Sequence, residues 1–420
     1  MQNKFSVIGL GYIGLPTATI LASRKLDVIG VDVSASIVDT INQGNTHIVE
    51  PDLDALVHEV VHNGYLRATT TPEPASVFVI AVPTPFKHGH TPDLSYIQSA
   101  AEMIAPVLAK GNLIILESTS PVGTTEQLSG WLAQARPDLS FPHQSGETSD
   151  IRIAYCPERV LPGKIIHELV NNDRVIGGIT PSCSQAAMAF YHHFVQGQCI
   201  VTNARTAEMC KLAENSFRDV NIAFANELSM ICDSQDINVW ELIRLANLHP
   251  RVNILQPGCG VGGHCIAVDP WFIVSANPDE ANLIRAAREV NDSKPGWVID
   301  KVEQAITALT HQGMTQKDIR IACLGLSFKP DIDDLRESPA LHIATALTQR
   351  HTGSISIVEP HIDALPEQLQ SDSVNISNLE SALNQAHIIL LLVDHTLFKN
   401  IQPSLLNNQL LIDTRGVWEI

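Results

Sequence analysis

The run Lys4-Phe-Ser-Val-Ile-Gly-Leu10, followed at once by Gly11-Tyr12-Ile13-Gly14, is where the reading of this chain begins. An apolar segment of strand character gives way to glycines at Gly9, Gly11 and Gly14, and residues 13–25 have the composition of a helix. In a strand–turn–helix unit the first glycine makes the tight turn and the second lets a pyrophosphate approach the backbone. The third lets helix and strand pack closely, and the helix N-terminus faces the phosphates. Asp32 closes the next candidate strand, Val28–Val33, 18 residues beyond Gly14. A carboxylate there accepts from both ribose hydroxyls and repels a 2′-phosphate, so the pattern predicts NAD as cofactor in preference to NADP. The competing reading is that the glycines serve only a turn.

Outward from this unit, apolar runs at Val77–Val82, Leu113–Leu116, Ile151–Cys156 and Cys199–Thr202 alternate with helical patterns such as Ser95–Leu108. Strand and helix in alternation predict a parallel sheet wound on both faces. Residues 143–150 are polar and read as a loop. Beyond residue 203, Cys210, Ala213, Phe217, Val220, Phe224, Leu228 and Ile231 recur at three- and four-residue steps, the mark of one long amphipathic helix. Val239–Leu248, Glu280–Asn291 and Val298–Leu309 continue the helical signal. Strands return at Ile319–Leu326, Ser354–Val358, Ile388–Val393 and Gln409–Asp413, with Pro339–Arg350 helical between the first two. The expected fold is therefore α/β: two doubly wound Rossmann-like domains, residues 1–202 and 313–420, joined by a central helical segment, residues 203–312, with a long helix. The last domain lacks the glycine fingerprint, so it is not expected to bind a second dinucleotide in the same way.

The 420 residues suffice for two or three domains, and 45% hydrophobic against 17% charged residues describes a folded protein and not a disordered one. A net charge of −18 offers no sustained basic face, which argues against a nucleic-acid partner. No apolar run approaches the roughly 20 residues of a membrane span, and the glycines and Pro16 interrupt the one stretch that resembles a leader, so no membrane partner is expected. Eight cysteines without framework spacing read as reduced thiols of a cytoplasmic protein.

The chemistry points to Gly258-Cys-Gly-Val-Gly-Gly-His-Cys265, four glycines in eight residues with a thiol at the end. Such a loop allows close backbone approach and aims amide N–H groups inward, favouring a thiolate placed to attack an electrophilic carbon. Two alternatives stand beside this: an inert thiol on a flexible loop, and zinc held by His249, Cys259, His264 and Cys265. The zinc spacing fits no common pattern, and no metal is expected. On the long helix Lys211, Asn215 and Arg218 share one narrow polar stripe. Cations recur beside turns at Arg159, Arg251, Lys329 and Arg336, a set that suits a diphosphate-bearing substrate. Thr84 and Ser118-Thr119 follow candidate strands and read either as cofactor contacts or as caps.

Five motifs in order carry a resemblance: Gly9-Leu-Gly-Tyr-Ile-Gly-Leu15, Ser118-Thr-Ser-Pro-Val-Gly-Thr124, the helix Glu208–Asn226, Gly258–Asp269 and Gly325-Leu-Ser-Phe-Lys-Pro with Asp333-Asp-Leu-Arg-Glu-Ser-Pro339. Along essentially its whole length the chain resembles the UDP-glucose/GDP-mannose dehydrogenase family. The resemblance implies NAD at Tyr12, Ile13, Asp32, Thr84 and Thr124 or Thr125. It implies sugar-nucleotide contacts at Arg159, Val160, Lys211, Asn215, Arg218, His249, Arg251, Gly262, Phe328, Lys329 and Arg336, with Arg159 serving a neighbouring subunit. Cys259 stands where relatives usually carry proline.

The implied activity is a four-electron oxidation of the C6 alcohol of a UDP-linked amino sugar to a carboxylate, through a thiohemiacetal and a thioester on Cys265. Lys211 and Asp269 would handle protons and the oxyanion, Glu158 would orient water, and Asn215 is a further catalytic candidate. UDP-N-acetylglucosamine and UDP-glucose are the alternative substrates. The resemblance further implies a homodimer built on the helical centre, and a place in making enterobacterial common antigen or another surface polysaccharide. A one-step hydroxyacid dehydrogenase would have no use for Cys265 or the last domain. A nucleotide-sensing protein would not need Cys265, Lys211 and Asn215 together.

Overall fold

The computed structural model describes residues 4–161, 163–263, 265–402, 406 and 409–418, and of His88 the backbone only. The chain forms two compact units that divide after Glu214.

The first unit holds an eight-stranded sheet: β1 Lys4–Ile8, β2 Asp27–Val31, β3 Leu66–Thr69, β4 Val77–Ile80, β5 Leu113–Leu116, β6 Arg152–Tyr155, β7 Arg174–Gly178 and β8 Cys199–Asn203. The order is β3-β2-β1-β4-β5-β6-β7-β8. Every residue of β4 and β5 is buried, because helices cover both faces of the sheet and leave no polar alternation. One apolar layer gathers Phe5, Val7, Leu15, Leu21 and Val28, and the opposite layer gathers Ile8, Ile29, Phe78, Ile114 and Phe141. The order reverses between β1 and β4, the topological switch where such sheets open a crevice at their strand C-termini.

The expectation of a wholly parallel sheet needs one correction. β7 runs antiparallel to β6, with Ala154 opposite Gly178, while β8 follows β7 in parallel. Arg174-Val-Ile-Gly-Gly178 has little strand character in its composition. Its glycines are required by close approach, since a Cβ on Gly177 would lie 2.4 Å from the Asn203 carbonyl oxygen. The polar segment expected as a loop at 143–150 contains a short helix, Pro142–Ser145, and a 3₁₀ turn, Gly146–Thr148.

In the second unit the helices Val239–Ala246, Asp269–Ala276 and Asn282–His311 precede a five-stranded parallel sheet. Its strands are β9 Ile321–Leu324, β10 Ile355–Val358, β11 Val374–Ile376, β12 Ile388–Leu391 and β13 Leu410–Asp413, in the order β11-β10-β9-β12-β13. Pro339–Arg350 is helical, as the sequence predicts, with Ser338 accepting the Leu341 amide as its cap. The separate helical signals at Glu280–Asn291 and Val298–Leu309 belong to one helix: Asn282–His311 is continuous through Pro295. A proline inside a helix costs about 3 kcal/mol. Here Val298, Ile299 and Val302 are buried just beyond it, and Lys294 lies 3.6 Å over the Trp297 ring, so tertiary packing outweighs the local preference.

The long helix runs Ala204–Ser234 and contains the unit boundary. Its buried positions include Glu208, Lys211, Ser216, Asp219, Asn226 and Ser229, whereas Phe217 is 73% exposed, Phe224 52% and Ile231 46%. Much of the apolar stripe read from the sequence therefore faces outward. No helix among the described residues is long and apolar enough to cross a membrane.

Candidate active site

The glycine turn of the first unit is shaped as its spacing requires. Gly9 has φ +88°, and a Cβ there would meet the Ala81 carbonyl oxygen at 2.6 Å. A Cβ on Gly14 would meet the Gly9 oxygen at 1.8 Å, whereas nothing described lies within 4 Å of one on Gly11. Tyr12 and Ile13 lead into the helix Gly14–Ser23, whose N-terminus has no side-chain cap bond. Asp32 accepts the Leu10 amide and the Ser34 amide, both at 2.9 Å and one on each carboxylate oxygen. Each oxygen keeps a further lone-pair direction for a ribose hydroxyl. An open second glycine, an uncapped helix and a half-buried carboxylate fit the diphosphate and ribose of NAD.

The hydroxyls expected near the cofactor have internal partners. Thr84 Oγ1 donates to the Thr119 carbonyl at 2.5 Å, and Ser118 Oγ donates to the Val82 carbonyl at 2.7 Å, so these side chains tie the ends of β4 and β5 together. Thr124 donates to the Pro121 carbonyl at 2.7 Å. Thr125 gives both its amide (2.8 Å) and its hydroxyl (2.6 Å) to Glu208, which also takes the Gly123 amide at 2.6 Å. Glu208 thus caps the helix Thr124–Ala135. Its place three residues before Lys211 puts it on the polar stripe, but nothing local names Thr125 as its partner.

Glu158 is buried after β6. Burial pushes its carboxyl up to about 7, against the opposing pull of the Lys211 and Arg174 cations. Its Oε1 has no hydrogen-bond partner among the described residues. The segment that follows is fastened at several points. Arg159 pairs with Glu214 at 2.7 Å, and Asn172 donates to the Arg159 carbonyl at 2.9 Å. Leu161 donates its amide to Glu168 at 2.7 Å, and Glu50 receives the amides of Gly163 and Ile165 at 2.8 and 2.7 Å. Val160 packs against the apolar layer below. Glu50, Glu208 and the buried pair of Tyr191 with Glu117, 2.6 Å apart, are the structural supports that the sequence reading did not single out.

In the second unit Cys265 is exposed, and its carbonyl accepts the amides of Val268 (3.1 Å) and Asp269 (2.8 Å). The thiol residue therefore sits in the turn that opens the helix Asp269–Ala276. Asp269 is buried at the first position of that helix and accepts from Asn215 Nδ2 at 2.5 Å. Three of the expected site residues, Cys265, Asp269 and Asn215, are thereby brought together. The glycine-rich loop is in close contact with the loop after β9: a Cβ on Gly262 would lie 2.4 Å from the Glu337 oxygen, and one on Gly263 2.9 Å from the Phe328 ring. Cys259 is buried, donates to the Leu392 carbonyl at 3.5 Å, and has its thiol pushed up to about 11 by burial. It is a core thiol, not a second nucleophile.

Of the proposed zinc set, His264 lies outside the described residues. Asp331, His361 and His395 do converge within 4.8 Å, but His395 Nδ1 already accepts the Asp331 amide at 2.9 Å.

Phe328, Lys329 and Arg336 lie in the loop after β9. Ser327 Oγ donates to the Lys329 carbonyl at 2.7 Å, Phe328 N donates to the Asp334 carbonyl at 3.2 Å, and Arg336 forks onto Asp334 at 2.8 and 2.6 Å. Glu359, at the end of β10, receives the Leu326 amide at 2.7 Å. Gly325 has φ +93° and donates to the Val358 carbonyl, as Gly9 donates to that of Val31. The first turn of the Rossmann unit is therefore repeated in the second sheet, with Ser327 and Pro330 at the spacing where the first sheet has Gly11 and Gly14, and Phe328 and Lys329 between them. Arg218 is exposed on the long helix, and His249 and Arg251 lie on the exposed turn after Val239–Ala246. No hydrogen bond among the described residues joins these last two to the Cys265 loop.

A first sheet with a dinucleotide-type glycine turn, and a second unit with an exposed thiol in the turn that opens a helix, suit a nucleotide-dependent oxidoreductase. The chain matches the family models for the UDP-glucose/GDP-mannose dehydrogenase NAD binding domain over residues 3–195, the central domain over 205–293 and the UDP binding domain over 322–420. It belongs to that family, and it is an NAD-dependent dehydrogenase of UDP-linked sugars.

It is 64% identical over 416 residues to the NDP-N-acetyl-D-galactosaminuronic acid dehydrogenase of Ralstonia nicotianae, covering 99% of this chain and 96% of that one. It is 63% identical over 417 residues to the UDP-N-acetyl-D-mannosamine dehydrogenase of Yersinia pestis, covering 99% of each. Among solved structures, the UDP-D-ManNAc dehydrogenase of Pyrococcus horikoshii superimposes with a TM-score of 0.87 at 38% identity, over 99% of this chain and 96% of that one.

Proposed function

We propose that this enzyme oxidises C6 of UDP-N-acetyl-D-mannosamine to the carboxylate of UDP-N-acetyl-D-mannosaminuronate. The observation that carries the chemistry is the exposed Cys265 in the turn that presents Asp269 to Asn215 at 2.5 Å. The full-length likeness to the Yersinia pestis enzyme and the fold of the Pyrococcus horikoshii enzyme support the mannosamine sugar. The relative from Ralstonia nicotianae, at nearly equal identity, favours a second reading in which the sugar is the N-acetylgalactosamine epimer.

The net reaction converts one primary alcohol, one water and two NAD⁺ to one carboxylate, two NADH and three protons. NAD, when bound at Gly9, Gly11, Gly14 and Asp32, supplies a hydride acceptor for each of the two oxidations. Cys265 Sγ adds to the aldehyde carbon left by the first, forming a C–S bond as the carbonyl oxygen takes a proton. After the second hydride has left this thiohemiacetal carbon, water attacks the resulting thioester, the C–S bond breaks, and the thiolate is restored. Asn215 donates to the developing oxyanion, and Asp269 holds Asn215 in place for it. Lys211 takes the proton of the C6 hydroxyl, and Glu158 orients the hydrolytic water. Retaining the aldehyde on sulfur keeps a reactive intermediate from solvent.

The same reading assigns Arg159, Lys329 and Arg336 to the diphosphate, and Phe328 to the uracil. It makes the outward apolar side of Ala204–Ser234, with Phe217, Phe224 and Ile231, the contact surface of a homodimer. Eight cysteines with no disulfide among them support a cytoplasmic enzyme.

The test is the yield of NADH per sugar consumed, with UDP-N-acetylmannosamine, UDP-N-acetylgalactosamine, UDP-N-acetylglucosamine and UDP-glucose offered separately. A ratio of two with the first sugar is expected. Preference for another sugar replaces the substrate and keeps the chemistry, and a ratio of one removes the thioester.

A further inference from the structure

The segment from Gly258 to Cys265 has four glycines and few side chains with which to hold its own shape, so its position has to come from bonds to its backbone. Two such bonds come from a single buried network. Asn226 Oδ1 accepts the Gly258 amide at 2.9 Å, and Asn226 Nδ2 donates to Asn291 Oδ1 at 2.8 Å. Asn291 Nδ2 donates to the backbone oxygen and to Oδ1 of Asp219, at 3.1 and 2.8 Å. Asp219 Oδ1 also accepts from a terminal nitrogen of Arg288 at 2.7 Å, and that same nitrogen reaches the Ile266 carbonyl at 3.4 Å. The other terminal nitrogen of Arg288 pairs with Asp292. Gly258 opens the thiol loop and Ile266 directly follows Cys265, so both ends of the loop are moored to one set of side chains on the helices Ala204–Ser234 and Asn282–His311.

This is an unusual use of a helix interface. Asn226 and Asp219 are fully buried, and Arg288 and Asn291 are 1% exposed. Two amides and an ion pair at such a depth are poor sources of stability, since well-packed apolar residues of similar volume serve as well or better. Directional hydrogen bonds supply what apolar contacts do not: a defined position for the groups that they hold.

We propose that Asn226, Asn291, Asp219 and Arg288 form a positioning network for Cys265, which keeps the thiol in line with the aldehyde carbon between the two oxidations. The proposal rests on the reading of Cys265 as the nucleophile. Loosening either mooring lets the sulfur drift, and a displacement of about 1 Å at a reacting atom costs on the order of 10²-fold in rate. The drift has a chemical signature, because an aldehyde that is not captured escapes after one hydride transfer.

Two variants of the full-length enzyme test it. Asn226→Ala removes the hold on Gly258. Arg288→Lys keeps a cation against Asp219 but loses the planar fork whose one nitrogen serves Asp219 and Ile266 while the other holds Asp292. Each is compared with wild type for melting temperature, KM for the UDP-sugar, NADH per sugar consumed, and aldehyde captured by hydroxylamine. The expected result is a folded variant with KM within about threefold of wild type, kcat lower by at least about tenfold, a ratio falling from two toward one, and trapped aldehyde. Folded variants that keep a ratio of two and wild-type kcat overturn the proposal. Failure of both variants to fold also overturns it, by assigning the network to core stability. A wild-type ratio of one is a separate failure: it removes the thioester reading itself, whatever the variants do.

Discussion

His395 stands with Nε2 3.1 Å from the Glu359 carboxylate, while its Nδ1 accepts the Asp331 amide at 2.9 Å. Glu359 also takes the amides of Leu326, Ser327 and His361. In the first sheet the corresponding acid, Asp32, holds the Leu10 and Ser34 amides but remains half-exposed. One turn geometry thus serves two ends: Asp32 keeps lone pairs for a ligand, and Glu359 is enclosed by His395 and braces the loop that carries Phe328 and Lys329.

Glu359→Gln is expected to raise KM for the UDP-sugar several-fold while leaving NAD affinity unchanged, because a hydrogen bond to a charged group contributes about 1.5–3 kcal/mol. Burial opposes ionisation of Glu359, but the His395 bond and the loop amides outweigh it and hold its carboxyl below the usual 4.5. A depressed folded-state value stabilises the fold above the unfolded value, and that contribution is lost as the pH falls below 4.5. Melting curves of wild type and variant should therefore converge at acidic pH, and curves that stay parallel would show that the carboxylate does not contribute.

Asp32→Ala should raise KM for NAD by about tenfold or more, roughly 1.4 kcal/mol, and narrow the preference over NADP. Initial rates with the two cofactors measure both. Unchanged discrimination would remove Asp32 from the ribose site.

Glu158, pushed up to about 7 by burial, should give the activity an acidic limb in that range under its proposed role, since a base that orients water must be ionised. Glu158→Gln is expected to lower kcat and flatten that limb. A raised folded-state value also means that the stabilising contribution of the neutral carboxyl is complete below 4.5 and is lost as the pH rises through about 7. Above pH 7 the glutamine variant should melt at or above the wild-type temperature.

Replacing Phe217 and Phe224 together by Asp should convert the proposed homodimer to monomers in sedimentation velocity. These side chains are largely exposed, so the substitution costs little within one chain. A wild-type chain that sediments as a monomer would remove the apolar face as a dimer contact.

Much of the proposed site was legible because it is local. Gly9, Gly11 and Gly14 lie within one turn, and Cys265 and Asp269 at one helix start. The supports were not legible, because each joins residues far apart in sequence: Glu50 holds Gly163 across 113 positions, and Glu208 holds Thr125 across 83. A glutamate that braces a loop has the same composition as one on a solvated face, and nothing in its neighbours marks the difference.

The sequence by itself determined the class of fold and which residues to propose for the site, because strand and helix periods, a glycine turn and a thiol in a bare loop are properties of neighbouring residues. Only the tertiary structure decided the direction of β7, the continuity of Asn282–His311 through Pro295, and which side of Ala204–Ser234 is buried. Periodicity states that a helix has two faces, but not which one is enclosed. Here the enclosed side mixes small apolar residues such as Ala207, Ala223 and Ala225 with polar ones, and Asn226 and Asp219 find partners on Asn282–His311 that no local pattern announces.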